Sequence, residues 1–75
     1  MYYRVGTLRD AGLEARWSRT SSGAPILVAR NPNASSKHQR ERWWTVDRHM
    51  WKRMEETGVI EGFDCCTLLG DFFFV

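Results

Sequence analysis

The chain has 75 residues and a formal net charge of +2, from eleven basic and nine acidic side chains. We expect residues 1–75 to form one small domain with one core, which leaves little room for a ligand pocket of roughly 300 Å³ or more. No segment approaches the roughly 20 apolar residues of a membrane span, and the first ten residues lack the apolar region of a signal peptide. The sequence therefore predicts a cytoplasmic protein without membrane contact.

Charge is distributed unevenly along the chain. Residues 1–53 contain all eleven basic side chains and four acidic ones, whereas residues 54–75 contain five acidic side chains and no basic one. The first segment therefore has a net charge of +7 and the second a net charge of −5. If the two segments occupy different faces, the protein has a polarised surface.

The N-terminal part is typical of short β-strands. Residues 2–5 are aromatic and β-branched, which favours a first strand. Residues 13–20 alternate between apolar and polar, which predicts a half-buried strand. Its buried face is predicted to carry Leu13, Ala15 and Trp17. A turn at residues 21–23 then leads into residues 26–29, which are apolar at both alternating positions and predict a hairpin partner covered on both faces.

A basic segment separates the hairpin from the next strand. Residues 34–42 are polar and have no apolar period, so we predict a loop. Such a run is commonly a solvated connector, but Lys37, Arg40 and Arg42 could also contact phosphate or an acidic protein surface. Residues 43–46 are aromatic and β-branched and predict a short strand.

The following segment predicts a helix over residues 48–57. Asp47 is a good N-cap, since its carboxylate can accept a hydrogen bond from the backbone N–H of His49 or Met50. Gly58 can adopt a positive φ and is a natural helix end. The apolar stripe of this helix is predicted to consist of Met50, Trp51 and Met54.

The C-terminal residues predict a connector over 59–63 and a terminal strand over 72–75. The complete pattern indicates an α+β fold, with a small antiparallel or mixed sheet of four to five short strands and one helix on one face. Residues 26–29, 43–46 and 72–75 are each apolar at both alternating positions, yet one helix covers only one side of a sheet. The second face is therefore predicted to be enclosed by curling or covered by another chain.

Catalytic and metal-binding chemistry finds little support in the sequence. Cys65 and Cys66 are adjacent, so a disulfide between them would be strained, and the pattern does not match zinc-ligand spacing. His38 and His49 lie in no recognisable nucleophile motif. We therefore predict two reduced thiols, no cofactor, no metal and no enzymatic activity.

A binding function is the preferred hypothesis. Ten aromatic residues, four of them Trp, exceed what one small core readily uses, and Arg, Trp and Tyr dominate interface hot spots. The sequence predicts stoichiometric association with a larger protein or nucleoprotein complex, as for an inhibitor encoded by a phage or mobile element, including inhibitors of the anti-CRISPR type. The predicted contacts are Lys37, Arg40, Arg42, Trp44, Arg48 and Phe73.

Two alternatives stay open. The first is self-association as a homodimer through the same apolar face. The second is nucleic-acid binding, because basic side chains and exposed aromatic rings can contact phosphates and stack on bases. The residues predicted for nucleic-acid binding are Arg16, Arg19, Arg30, Lys37 and Arg40.

Overall fold

A three-stranded antiparallel sheet and two consecutive helices enclose the hydrophobic core in a computed structural model of the chain. The structure describes the backbone of residues 5–73 and the side chains of residues 5–68. Three strands and four helices alternate irregularly along this part of the chain. In chain order they are α1 (Val5–Asp10), β1 (Glu14–Arg19), β2 (Pro25–Arg30), α2 (Lys37–Glu41), β3 (Trp44–Thr45), α3 (Arg48–Thr57) and α4 (Val59–Phe73).

The predicted hairpin of β1 and β2 is confirmed. Arg16 pairs with Val28 and Trp17 with Leu27 in an antiparallel register. Strand β3 adds to the other side of β2, with Val28 opposite Thr45. The α+β class is therefore confirmed, but among the described residues the sheet has three strands rather than four to five, and more than one helix is present.

One face of the sheet packs against α3 and α4. Ala15, Ala29 and Trp44 lie side by side on this face, and all three are buried. The helices contribute the rest of the core, including Met50, Trp51, Met54 and Phe63. The predicted apolar stripe of α3 is thus buried as expected.

Helix α3 begins and ends where the sequence predicts. The Asp47 carboxylate accepts a hydrogen bond from the backbone N–H of Met50 at 2.8 Å, so Asp47 is the N-cap. At the other end, Gly58 has φ of 107° and ψ of 151°, and its N–H donates to the carbonyl of Met54. Glycine meets this positive φ without the steric cost of a Cβ atom, and the chain turns directly into α4.

The predicted C-terminal connector and strand are wrong for the described residues. Residues 59–73 form α4, the longest helix of the described chain. An ideal Cβ at Gly62 would lie 2.6 Å from the backbone Cα of Met54, so a side chain there would keep α3 and α4 apart. The sequence predicted a connector over residues 59–63, whereas Gly62 lies within α4 and allows its close approach to α3. Residues 74–75 of the predicted strand lie outside the described residues.

The predicted strand over residues 2–5 and the predicted loop over residues 34–42 also differ from the structure. Val5 begins α1, so the predicted strand over 2–5 does not extend to this residue, and residues 2–4 lie outside the described range. The predicted loop over 34–42 contains the short helix α2. Helix α2 is anchored to the core, because the side-chain amide of the buried Gln39 donates a hydrogen bond to Thr67 Oγ1 of α4 at 3.0 Å.

The described helices include none that is both long enough and apolar enough to cross a membrane.

Candidate contact surface on the outer face of the sheet

The outer face of the sheet, opposite α3 and α4, carries arginine side chains around a tryptophan ring. Side chains alternate between the two faces of a strand. Because Ala15 and Ala29 point into the core, Arg16 and Arg30 point outward from β1 and β2. The two arginines therefore share one face, although they belong to different strands.

Trp43 immediately precedes β3 and lies on the same side of the sheet as these arginines. The Cζ atom of Arg16 is 4.2 Å from the Trp43 ring centroid, and the Cζ atom of Arg30 is 4.7 Å from it. These distances place both guanidinium groups in cation–π contact with one indole ring. Trp43 is consequently half-buried by charged side chains of its own chain.

Glu14 of β1 forms an ion pair with Arg30 of β2 on the same face of the sheet. Arg30 donates from Nε to Glu14 Oε1 at 3.3 Å and from Nη2 to Oε2 at 3.2 Å. This fork geometry fixes the plane of the Arg30 guanidinium more tightly than one bond would. The ion pair is nevertheless open to solvent, with 32% of the Arg30 side chain and 45% of the Glu14 side chain exposed.

These side chains surround a shallow open groove of about 510 Å³. Arg9 also lines the groove, and its Nε and Nη2 atoms both donate to the carbonyl of Ala15, at 3.0 and 2.8 Å. We name the charged and aromatic lining the outer-face cluster. It consists of Arg9, Glu14, Arg16, Arg30 and Trp43. Three arginines against one glutamate give the cluster a formal charge of +2, which suits an anionic surface.

The sequence predicted that the second face of the sheet is enclosed by curling or covered by another chain, and the outer-face cluster covers part of that face. Val28 belongs to this face, yet it is buried beside Arg16 on one side and Thr45 on the other. The aromatic ring of Trp43 is covered by the two arginines. Val28 and part of Trp43 are thus covered by side chains of the protein itself, whereas Glu14, Arg16 and Thr45 on the same face stay exposed.

The basic and acidic segments of the sequence are only partly separated in space. The outer face carries the basic outer-face cluster, whereas acidic side chains lie on the end of α3 and on α4, on the other side of the core. They include Glu55, Glu56, Glu61 and Asp64. Basic residues Arg48, Lys52 and Arg53 also lie on α3, so the two signs are not fully separated.

The predicted basic contact residues have different surroundings. Lys37 is exposed at the start of α2. Arg40 is held by its own segment, because Nη1 donates to the carbonyls of Ala34 at 2.9 Å and Ser35 at 3.0 Å. Arg42 stacks over the Trp44 ring, with Cζ 4.5 Å from the centroid. Arg40 thus has a structural role that the loop prediction did not include.

Trp44, predicted as an exposed aromatic anchor, is only 6% exposed and belongs to the core. Its position in the alternation of β3 explains the burial, because it lies beside Ala29 on the helix side. Arg48 is exposed in the first turn of α3. The side chain of Phe73 lies outside the described side chains.

The residues predicted for nucleic-acid binding are not gathered in one place. Arg16 and Arg30 share the outer face of the β1–β2 hairpin, whereas Lys37 and Arg40 lie on α2. Arg19 lies at the turn end of β1 on the opposite face, where Nη1 donates to the carbonyl of Gly23 at 2.9 Å. The sequence reasoning missed Trp43 and Glu14 as members of the outer-face cluster. Two adjacent tryptophans in a strand were a usable signal, since alternation directs one of them away from the core.

Trp17 departs from its predicted environment. Its backbone position lies opposite the buried Leu27, on the core-facing side of β1 as predicted. The side chain is nevertheless 56% exposed, because the helices do not cover this end of the hairpin. Trp17 is therefore the most exposed tryptophan of the four, and it lies between Arg16 and Arg19 in sequence.

Cys65, Cys66 and His38 contact other side chains of the fold, whereas His49 is exposed. Cys65 Sγ accepts a hydrogen bond from Arg53 Nη2 at 3.4 Å. Burial raises the pKa of the Cys66 thiol, which lowers its thiolate fraction at neutral pH. His38 meets the Trp44 ring edge to face. Among the residues with described side chains, no group of three or more His, Cys, Asp or Glu could hold a metal ion.

No family model, curated protein or solved structure matches this chain. The geometry of the outer-face cluster and of the neighbouring hairpin is therefore the basis for a functional proposal.

Proposed function

We propose that the protein is a small non-enzymatic binding module, which associates stoichiometrically with an acidic surface of a larger protein or nucleoprotein complex through the outer-face cluster. The observation that carries this proposal is the stacking of Arg16 and Arg30 on Trp43 on the solvent-facing side of the sheet. Arginine and tryptophan are the residue types that contribute most to protein interfaces.

The stacked geometry favours binding because it reduces the entropy lost on association. Immobilising a mobile arginine side chain at an interface costs about 0.5–1.5 kcal/mol of conformational free energy. Arg30 is already held by Glu14 and Trp43, and Arg16 by Trp43. Their remaining N–H groups can therefore meet carboxylates of a partner with less ordering cost.

The proposed mechanism is occlusion of a partner surface. A chain of 8.8 kDa can cover one contact site on a larger protein without any chemical step. This mode of action would suit an inhibitor encoded by a phage or mobile element. Lys37, Arg42 and Arg48, which are exposed outside the cluster, would contribute to electrostatic steering during association.

The test is a comparison of two single charge removals. Partners captured from a lysate are identified by mass, and the dissociation constant of the purified pair is measured for Arg16→Ala and for Lys52→Ala. Lys52 is exposed on α3, so its substitution removes the same charge from the other side of the protein. We expect Arg16→Ala to weaken binding about tenfold and Lys52→Ala less than about twofold, since interface arginines contribute well above 1 kcal/mol. Equal effects of the two substitutions would contradict the proposed surface.

Nucleic-acid binding is the second candidate, and the exposure of Trp17 beside Arg16 and Arg19 favours it. An exposed indole can stack on an unpaired base while the arginines contact phosphates. Contacts to two phosphates of a single strand, one for each of these arginines, predict that log K falls with log salt at a slope of about −1.4. Titration of a random-sequence oligonucleotide at several salt concentrations measures this slope. A Trp17→Ala variant with unchanged affinity would argue against stacking.

A further inference from the structure

The outer edge of β1 presents backbone groups that the sheet does not use. In an antiparallel sheet, the N–H and C=O of alternate residues point to opposite neighbours. The Leu27 carbonyl accepts from the backbone N–H of Val46, so Leu27 faces β3 and Val28 faces β1. Arg16, the partner of Val28, therefore faces β2, and the backbone of Trp17 points away from the sheet. The same alternation directs the backbone of Arg19 outward.

Only part of this edge is occupied. Nε and Nη2 of Arg9 both donate to the outward carbonyl of Ala15, which occupies this acceptor and places the Arg9 side chain against the N-terminal half of β1. In the described part of the chain, no hydrogen bond occupies the outward backbone groups of Trp17 or Arg19. Natural proteins commonly protect exposed strand edges, so an edge that is half closed and half open can select where another strand adds.

We infer that the open half of the β1 edge accepts an extended acidic segment of the partner as an additional antiparallel strand. This inference rests on the proposed function and specifies how the partner is held. Backbone hydrogen bonds supply affinity in this mode of recognition, and alternate side chains supply specificity. Trp17 and Arg19 offer two N–H and two C=O groups to such a strand.

Charge complementarity identifies the partner segment as acidic. Arg16 and Arg19 are exposed along the open half of β1, and residues 15–30 of the hairpin contain no acidic side chain. A second copy of this chain pairing along the same edge would bring four arginines together on one short seam. Like charges opposite one another destabilise a strand pair, so an acidic partner is favoured over self-pairing.

The register predicts a short sequence pattern for the partner. The residue opposite Trp17 shares the face of the exposed indole and is expected to be apolar. Two positions before it, the partner residue lies opposite Arg19 and is expected to be acidic. One position after it, the partner residue lies opposite Arg16, beside the outer-face cluster, and is also expected to be acidic. The pattern is therefore acidic, polar, apolar, acidic.

Amide exchange of the full chain measured by NMR tests this inference. The probe is an acetylated, amidated octapeptide with Glu-Ser-Val-Glu at its centre and Thr on either side. Unpaired edge amides exchange quickly, and hydrogen bonding to an added strand slows them. We expect exchange at the N–H groups of Trp17 and Arg19 to slow at least about fivefold with bound peptide. A peptide with Lys in place of both Glu residues should bind at least about tenfold more weakly, through like-charge repulsion.

Backbone methylation of the peptide provides a matched control. In the inferred register the Val N–H donates to the Trp17 carbonyl, whereas the Ser N–H points away from β1. N-methylation of Val should weaken binding about tenfold, because it removes a donor and places a methyl group against that carbonyl. N-methylation of Ser should change affinity less than about threefold, since it affects no inter-strand bond.

The outcomes separate this inference from the proposed function. Unchanged exchange at Trp17 and Arg19 with millimolar peptide would overturn the added strand. If the same peptide instead shifted the Trp43 indole signal, an acidic contact at the outer-face cluster would stand without the strand. Concentration-dependent protection without peptide would show that a second copy occupies the edge, which also overturns the inference. The proposed function itself would be contradicted only if Arg16→Ala also left the affinity for the partner unchanged.

Discussion

Trp43 and Trp44 are neighbours in sequence, but they serve opposite faces of the same sheet. Trp44 is buried beside Ala29 on the helix side, and no described residue accepts a hydrogen bond from its Nε1. Trp43 is half-buried on the outer side, where it lies under the guanidinium groups of Arg16 and Arg30. The alternation of side chains along residues 43–45 is sufficient to give the two tryptophans these different environments.

The two faces are therefore covered by different chemistry. On the helix side, apolar side chains from α3 and α4 exclude water, and this burial is the main source of stability. On the outer side, the arginines cover Trp43 while their charges stay in contact with solvent. A cation–π contact at an exposed site contributes only about 0.5–1 kcal/mol. The outer face thus adds little to folding, and it leaves oriented charges available for a partner.

The sharpest way to break this comparison is to truncate each tryptophan in turn. Trp44→Ala should lower the free energy of unfolding by about 3–5 kcal/mol, as for other large aromatic residues removed from a core. Trp43→Ala should lower the free energy of unfolding by only about 1–2 kcal/mol. The substitution removes two exposed cation–π contacts and an indole ring that is only partly buried. Denaturant unfolding followed by circular dichroism measures both values. Equal losses would mean that the outer face is as important to folding as the core.

A second test concerns the approach of the two helices that cover the core. Gly62→Ala should destabilise the protein by about 2–3 kcal/mol, since the added Cβ would lie 2.6 Å from backbone atoms of Met54 and α3 would have to move. Gly6→Ala is the matched control, because a Cβ at that position of α1 meets no atom of the described residues within 4 Å. The control should leave stability unchanged or raise it by up to about 1 kcal/mol. A neutral Gly62→Ala variant would show that the α3–α4 contact is looser than described.

Local signals predicted the central part of the fold. The cap at Asp47, the apolar stripe of α3 and the glycine at position 58 are short-range features, and together they fixed the helix at residues 48–57. The alternation of residues 13–20 likewise predicted β1. Helix α4 could not be predicted in this way, because its apolar residues and phenylalanines resemble a strand. Gly62 is explained only by its distance from the Met54 backbone, which is a tertiary contact.

The candidate site was predicted less completely, and for the same reason. Arg16 and Arg30 were identified because they are basic, and Arg30 lies just beyond the strand predicted over residues 26–29. Their contact with Trp43 depends on the order of the strands in the sheet, which composition does not reveal. Arg40 was assigned to partner binding, but its guanidinium is bound to two carbonyls of its own segment. Charge alone could not distinguish these two uses of arginine.

The smallest expected effect on stability, and the finest test of the outer face, comes from Glu14→Gln. Exposed ion pairs contribute about 0–1 kcal/mol, so loss of the pair with Arg30 should change the free energy of unfolding by less than about 1 kcal/mol. The substitution raises the formal charge of the outer-face cluster from +2 to +3. Association with an acidic partner should therefore become about two- to fivefold faster at low salt, an advantage that salt would screen.

Glu55→Gln is the matched control for this change, because it removes an exposed carboxylate from α3 on the other side of the core. Stopped-flow association rates at two ionic strengths should distinguish the two variants. A faster rate for Glu14→Gln alone would locate the steering charge on the outer face. Weaker binding by Glu14→Gln would instead mean that the fork to Arg30 matters more than the net charge. In that case the carboxylate would hold the guanidinium in its binding orientation, and the geometry of the pair rather than the field around it would determine affinity.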